Sequence, residues 1–381
     1  MVASRRIAVF SANYLPSLGG VEVYTNGLAH ELARQGHQVT IVTNDVSNLG
    51  PRAVERNGVR IVRLPCFPLL NGRLPLPRLS HLRKALWAEL SVEKYDGVLV
   101  NTRFYPHSLS GVRFAEMKGL HAVVLDHGSA YLTFGSALLD LAVRAWEHGM
   151  TALVKSKKVS FWGISQSSVR WLETFGIRAH GVLPNAIDAD GFRGQSSNRD
   201  FRKELGIGSG PFVMCFAGRL VPEKGIDALL QAMDALDGRP VHLIIAGDGP
   251  LKREVERKRS DHVSYVGRLQ RPDLAALFDQ CDVLCLPTRS EGFSTTLLEA
   301  ASCGTPALIT HVGGVDELIP SAEFGTVLRS ASSNEIALQV LRLCENRSLL
   351  KRQAENVSKR VRHEYSWNQA AAKVLSAMHL V

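Results

Sequence analysis

Two successive α/β domains, each a doubly wound parallel sheet, are predicted by three features of this sequence. Its 381 residues exceed what one compact core organises and suit two domains of ordinary size. Short apolar, β-rich runs alternate with stretches of helical period in both halves, as repeated βαβ units require. Midway, from Leu183 to Asp188 and through the polar run 195–202, strand signals stop and turn residues cluster, which marks a joint.

In the first half the strand-like runs are 6–12, 38–43, 58–64, 97–102, 122–126 and 159–163, and residues 21–35 keep helical period after the first of them. The second half repeats the plan with 211–217, 241–246, 263–266, 283–286, 307–309 and 325–328. Such near-continuous apolar runs are what strands covered on both faces need. Residues 349–380 are helical in pattern around Trp367. The expected domains are 1–184 and 185–365, with 366–381 a C-terminal helix returning to the first.

Composition is that of a globular protein, and no apolar stretch approaches the roughly 18 residues that span a bilayer. Residues 1–10 lack a signal-peptide apolar core, so the sequons at Asn346 and Asn356 carry no weight. The six cysteines form no C-x-x-C pair and mostly sit in apolar runs, which points to small buried hydrophobes and a reducing cytoplasm. The net charge of +9 lies wholly in residues 1–184, where 21 Lys and Arg face 12 Asp and Glu. A basic half implies an anionic partner. Nucleic acid is the weakest candidate, because zinc-finger spacing, an aromatic RNP pattern and long basic runs are all missing.

The most informative corner is Glu291-Gly292-Phe293-Ser294-Thr295-Thr296-Leu297-Leu298-Glu299, which follows the run 282–287 and opens a helix expected over 297–303. In open α/β sheets ligands sit beyond the carboxyl ends of strands, where helix N–H groups favour anions. Two acids at such a corner suit a ligand with both hydroxyls and phosphate, and a sugar nucleotide fits. The plain alternative is a helix start with Glu299 solvated.

Other strand-to-loop corners carry matching chemistry. Gly19-Gly20 after the first strand would let backbone N–H groups approach a phosphate or sugar, or would be a simple turn. Gly218-Arg219 to Lys224 puts two cations five residues apart in a loop, which suits a diphosphate. Gly249 lies in another glycine-bearing turn, and Arg268-Leu269 could present backbone to a base edge or merely turn the chain. His127 ends a buried strand, where it could donate to a sugar hydroxyl or a reacting oxygen, or bond to backbone in the core. Asp188-Ala189-Asp190 imitates a metal clamp but lies in the joint with no strand before it. Residues 206–210 precede a strand where a phosphate loop must follow one. The thirteen histidines are scattered without metal-ligand spacing, so no metal site is expected.

In order along the chain, Gly19-Gly20-Val21-Glu22, Gly36-His37-Gln38-Val39-Thr40, Pro184-Asn185-Ala186-Ile187-Asp188, Gly218-Arg219-Leu220 with Glu223-Lys224-Gly225, Gly247-Asp248-Gly249-Pro250, Glu291-Gly292-Phe293 to Glu299-Ala300, and Gly304-Thr305-Pro306 with Gly313-Gly314 resemble the retaining glycosyltransferases of family 4. The resemblance covers nearly the whole chain and implies the B-type fold, two facing Rossmann-like domains with a cleft between them. It implies that Arg219 and Lys224 bind a donor diphosphate, that Glu291 and the backbone from Gly292 through Phe293, Ser294 and Thr295 hold the donor sugar, that Glu299 takes the ribose hydroxyls, that Gly19 and Gly20 lie near the donor phosphate, and that His127 sits at the reacting sugar. His127, Arg219, Lys224 and Glu291 are thus the expected catalytic residues. Gly218, Gly249, Arg268 and Leu269 complete the expected donor site. Ser294, Ala301 and Ala186 depart from the family's usual glycine, methionine and glycine, and Ser294 leaves donor identity open.

The implied reaction moves a sugar from a UDP-sugar, or from GDP-mannose, to a glycan or lipid-pyrophosphate-linked acceptor, with retained configuration, no essential metal and no cofactor. Cell-envelope polysaccharide or glycolipid synthesis, in the cytoplasm or at the inner face of the plasma membrane, is the setting. The stretch 73–87 mixes basic residues with Leu and Trp as an anionic membrane surface would require, or as a helix with its apolar residues on the core. A sugar-nucleotide epimerase and a non-catalytic anion binder are the other two classes.

Overall fold

A computed structural model describes residues 3–17, 19–54, 58–133 and 136–380. Its contacts divide the chain into one unit of Met1–Ala186 with Trp367–Val381 and another of Ile187–Ser366. The first unit holds β1 (Arg6–Phe10), β2 (Gln38–Asn44), β3 (Arg52–Val54), β4 (Arg60–Leu64), β5 (Cys66–Leu69), β6 (Leu74–Pro77), β7 (Gly97–Asn101), β8 (Ala122–Asp126) and β9 (Val159–Gly163). Seven of these form a sheet in the order β3-β4-β2-β1-β7-β8-β9. Neighbours are parallel except β3, which is antiparallel to β4. The chain winds outward from β1 in both directions, so the ends of β1 and β7 flank the switch point where such sheets bind ligands. Strands β7 and β8 are buried throughout, which explains their apolar runs, each ended by one polar residue, Asn101 or Asp126.

Three features depart from the expected pattern. Strand β3 and the antiparallel hairpin β5–β6 lie outside the βαβ repeat. The stretch 73–87 is divided: β6 takes its first part, and the helix His81–Val92 begins at Ser80, whose Oγ accepts from the Arg83 N–H at 3.1 Å. On that helix Leu86 and Leu90 are buried, and the Trp87 ring meets Phe10 and Phe114 at centroid distances of 6.3 and 5.7 Å. Leu86, Leu90 and Trp87 therefore cover the sheet, as the second reading of this stretch expects, while Leu79 and Leu82 remain exposed. The helical pattern 349–380 breaks at Tyr365 and Ser366 into Arg347–Glu364 and Trp367–Ala377.

The second helix belongs to the first unit, with Asn368 accepting from Gln35 Nε2 at 3.0 Å. Trp367 lies against Gly27, in the middle of the helix Gly20–Arg34, where any Cβ would overlap the indole. A mid-helix glycine costs about 0.5–1 kcal/mol relative to alanine, and close approach of the Trp367 ring accounts for it.

The second unit holds β10 (Phe212–Arg219), β11 (Val241–Asp248), β12 (Val263–Gly267), β13 (Val283–Leu286), β14 (Ala307–Thr310) and β15 (Thr326–Leu328). Their order is β12-β11-β10-β13-β14-β15, all parallel, so the switch point lies between β10 and β13. The acids of the joint have structural partners: Asp188 caps the helix Ala189–Gly194 by accepting from the Gly191 N–H at 2.9 Å, and Asp190 pairs with Arg362 at 2.9 Å. Among the described residues no helix is long and apolar enough to cross a membrane.

Candidate active site

In the second unit the expected donor residues gather at the carboxyl ends of β10, β11 and β13. Arg219 is the last residue of β10 and is exposed. The chain then turns through a 3-10 turn at Pro222–Lys224, and Lys224 Nζ makes a direct ion pair with Glu291 Oε1. Gly225 follows at φ 71° and starts the helix Ile226–Ala235. A Cβ there would overlap the Pro287 carbonyl, so both its backbone angle and the close approach of the two loops require glycine.

The loop carrying Glu291 is braced from both sides. The Arg289 N–H and the Thr288 hydroxyl donate to the Glu223 carbonyl at 2.8 and 3.2 Å, and the Thr310 hydroxyl donates to the Thr288 carbonyl. The Gly313 N–H donates to the Glu291 carbonyl at 3.1 Å. A Cβ on Gly313 would overlap the Gly292 carbonyl, and one on Gly314 would press on the Phe293 ring. Phe293 and Ser294 are buried. The helix starts at Thr295, two residues earlier than expected, and its N-cap Ser294 makes no side-chain cap. Gly218 and Gly249 belong to the same corner. The Leu220 N–H donates to the Asp248 carbonyl at 2.9 Å, and a side chain on Gly249 would strike the Leu220 backbone. Arg268 and Leu269 follow β12 at the outer edge of the sheet, after Gly267 at φ 73°.

Glu299 lies on the helix Thr295–Ser302 with its carboxylate mostly buried, and Arg271 Nη1 approaches it at 3.2 Å. Burial pushes its pKa up to about 7, with the Arg271 charge opposing the shift. This carboxyl therefore titrates near neutrality.

The remaining expected residues lie in the first unit. Gly19 is the extended N-cap of the helix Gly20–Arg34, and both glycines are exposed. A Cβ on Gly19 would meet the Glu22 carboxylate, which burial pushes upward in pKa, whereas one on Gly20 would meet nothing. Leu18, in the same turn, lies outside the described residues.

His127 follows β8, and its Nε2 is 2.9 Å from Asn101 Oδ1. Asn101 Nδ2 donates to Thr25 Oγ1 at 2.8 Å, and that hydroxyl donates to the Val21 carbonyl at 2.7 Å. This chain makes Asn101 Oδ1 the acceptor, so His127 carries its proton on Nε2 and offers Nδ1 as a lone pair. Burial lowers its pKa to about 3, which keeps it neutral. With its N–H engaged in this way, the nitrogen left to face a ligand is Nδ1, an acceptor.

Sequence reasoning missed Asn101 and the buried ions beside it. Thr102 adopts φ 66°, a strained value for a β-branched residue, and the side chain of Arg103 turns inward. Its guanidinium, 1% exposed, bonds Asp126 at 2.8 Å and Glu147 at 2.9 Å and lies 3.9 Å from the Phe175 ring centroid. Burial raises the pKa of both carboxyls against the pull of Arg103. The available signal was the polar trio Asn101-Thr102-Arg103 directly after the apolar run 97–100, with Asn101 closing β7.

Comparison with known proteins agrees with the two-domain fold. The family model for Glycosyltransferase Family 4 matches residues 18–190, and that for Glycosyl transferases group 1 matches residues 197–360. The D-inositol 3-phosphate glycosyltransferase of Saccharomonospora viridis is 26% identical, covering 97% of this chain and 93% of that protein. The GDP-mannose-dependent alpha-(1-6)-phosphatidylinositol monomannoside mannosyltransferase of Mycolicibacterium smegmatis is 27% identical over 86% of each chain. Among solved structures, sucrose-phosphate synthase from Thermosynechococcus elongatus superposes with TM-score 0.74 at 18% identity over 98% of each chain. Anabaena HepE in complex with UDP does so with TM-score 0.74 at 19% identity over the full length of both. At these identities the structures speak for the fold.

Proposed function

The chain belongs to the group 1, Family 4 glycosyltransferases with the two-domain B-type fold, and on that premise we propose that it moves a sugar from a UDP-sugar, or from GDP-mannose, to an acceptor hydroxyl with retention of configuration and without an essential metal. The observation that carries this reading is the braced corner of the second unit. Lys224 is paired there with Glu291, and Arg219 ends β10 at the same switch point. In the reaction Arg219 and Lys224 neutralise the leaving diphosphate, the work a divalent cation does elsewhere. Glu291, released from Lys224 as the phosphates arrive, accepts hydrogen bonds from the donor sugar, and the backbone of Gly292 to Thr295 completes that pocket. Glu299 accepts from the ribose hydroxyls. Gly19 and Gly20 offer backbone N–H groups to the donor phosphate, and His127 Nδ1 accepts from a hydroxyl of the reacting sugar. With Glu291 and Glu299 both committed to binding, a front-side displacement follows, in which the departing diphosphate takes the acceptor proton.

The basic first half suits an anionic acceptor, lipid-pyrophosphate-linked or glycan, at the inner face of the plasma membrane. The two relatives named above, one specific for an inositol phosphate and one for a phosphatidylinositol mannoside, support an acceptor bearing phosphate. Cell-envelope glycan or glycolipid synthesis is the corresponding role. A thermal-shift panel of UDP-, GDP- and ADP-sugars tests the donor, because a matched donor raises the melting temperature by mass action. If none of them shifts it, the reading fails. The anomeric configuration of the product and activity in excess chelator test retention and metal independence.

A further inference from the structure

The first unit carries an apolar groove that the donor chemistry does not use. It encloses about 220 Å³ and is lined by Leu70, Leu74, Phe104, Leu139, Val143 and Trp146 among others. Its charged lining residues are Arg73, which is exposed, and Glu147, which is buried and held by Arg103. Glu147 also accepts from the Leu132 N–H at 3.1 Å, only five residues beyond His127, so the groove is tied to the loop that carries the histidine. Outside this lining, Leu138 and Leu141 on the helix Ala137–Lys155 are exposed by 83% and 65%. An apolar groove of this kind marks a binding site.

We propose that this groove takes the hydrocarbon chain of a phosphate-bearing lipid, with Arg73 beside the head group. The proposal rests on the glycosyltransferase reading and names the acceptor class for it. A sugar or a base in such a lining would leave its hydroxyls or amides unpaired, which is costly, whereas a methylene chain loses nothing there. The exposed cation at the groove and the +9 excess of this half complement an anionic head group.

Trp146 supplies the probe. Titration with ω-bromododecyl phosphate below its micelle concentration should quench the tryptophan emission saturably, because bromine quenches indole on contact, and Trp146→Phe should abolish the quenching. Leu139→Asp should weaken binding by about tenfold or more, since it sets a charge in the lining. Leu138→Asp, more exposed on the same helix and outside the lining, should bind as wild type. Arg73→Ala should weaken binding of the alkyl phosphate and leave that of ω-bromododecanol unchanged. Absence of quenching, unchanged binding by Leu139→Asp, or equal loss in both leucine variants, as for a flat membrane-facing surface, overturns the groove. An Arg73→Ala protein that binds the phosphate normally overturns the lipid-phosphate assignment. A donor thermal shift in the same samples separates the two readings: a retained shift with no chain binding sinks the groove alone, and chain binding without any donor shift sinks the transferase reading alone.

Discussion

The two units share one topology and stabilise their switch points by opposite means. In the second, the loops after β10, β13 and β14 are locked to each other by backbone and threonine-hydroxyl hydrogen bonds and by glycines at close approach, and the ion pair Lys224–Glu291 is half-buried between them. In the first, the loops after β7 and β8 are joined through side chains: Asn101 to His127, and Arg103 to Asp126 and Glu147, the last three buried. Backbone bracing leaves side chains available for a ligand, so charge can be presented without loss of rigidity. A buried side-chain network uses its charges internally and presents little beyond the imidazole and an apolar groove. Along the sequence the net charge divides similarly, +9 in residues 1–184 and zero in residues 185–381, one half matched within itself and the other biased toward an anionic partner.

Substitutions can break this contrast. The largest effect is expected for Arg103→Ala, which strands two buried carboxylates and should cost about 3–5 kcal/mol of stability. Urea unfolding of the purified variant measures it, and a loss near that of an exposed arginine would mean the network does not hold the loop. Next comes Lys224→Ala. Removing a preorganised charge from the reacting centre should lower kcat by about 10²–10³-fold while the melting temperature stays within a few degrees, because the loop is held by backbone. A variant that unfolds instead would place the Lys224–Glu291 pair among the braces.

Asn101 provides a smaller and sharper test. Asn101→Ala frees the imidazole to rotate and should reduce kcat by about 10²-fold through misplacement, with donor binding retained. Asn101→Asp puts a carboxylate 2.9 Å from Nε2 and favours the imidazolium, so the pKa of His127 rises. Activity should then fall as pH drops through the new pKa, whereas the wild-type histidine, titrating near 3, contributes no such limb above pH 5. A pH–rate profile unchanged by Asn101→Asp would remove His127 from the reaction.

The α/β class was legible because both sheets are parallel and covered on two faces, so strands such as β7 and β8 stand out as apolar runs. Strand β3 and the hairpin β5–β6 were not, since runs of three or four residues containing Pro or Arg give no period to detect. The break between the last two helices was hidden for a related reason: amphipathic character continues across Tyr365 and Ser366. At the candidate site, the loops bearing Arg219, Lys224 and Glu291 could be recognised because glycines and charges cluster locally after strands. Arg103 with Asp126 and Glu147 could not, because its partners lie 23 and 44 residues away and only the fold joins them.

Glu299 gives the smallest effect and tests the second unit through a carboxylate that is mostly buried. Its carboxyl is raised from an ordinary 4.5 to about 7 by burial, so between those values the folded chain holds more proton than the unfolded one. Its contribution to stability therefore declines as pH rises from about 4.5 through 7. In the proposed donor complex ribose hydroxyls donate to the ionised carboxylate, so donor binding should draw the pKa down and release a proton. Donor affinity should rise by up to about tenfold per pH unit below 7 and level off above it. Calorimetric titration at pH 6.5 in two buffers of different ionisation enthalpy counts the proton directly. Glu299→Gln should abolish both the release and the pH dependence, and Arg271→Ala, by removing the opposing charge, should move the midpoint upward. Proton release that persists in Glu299→Gln would assign the titration to another group and take the ribose contact from this residue.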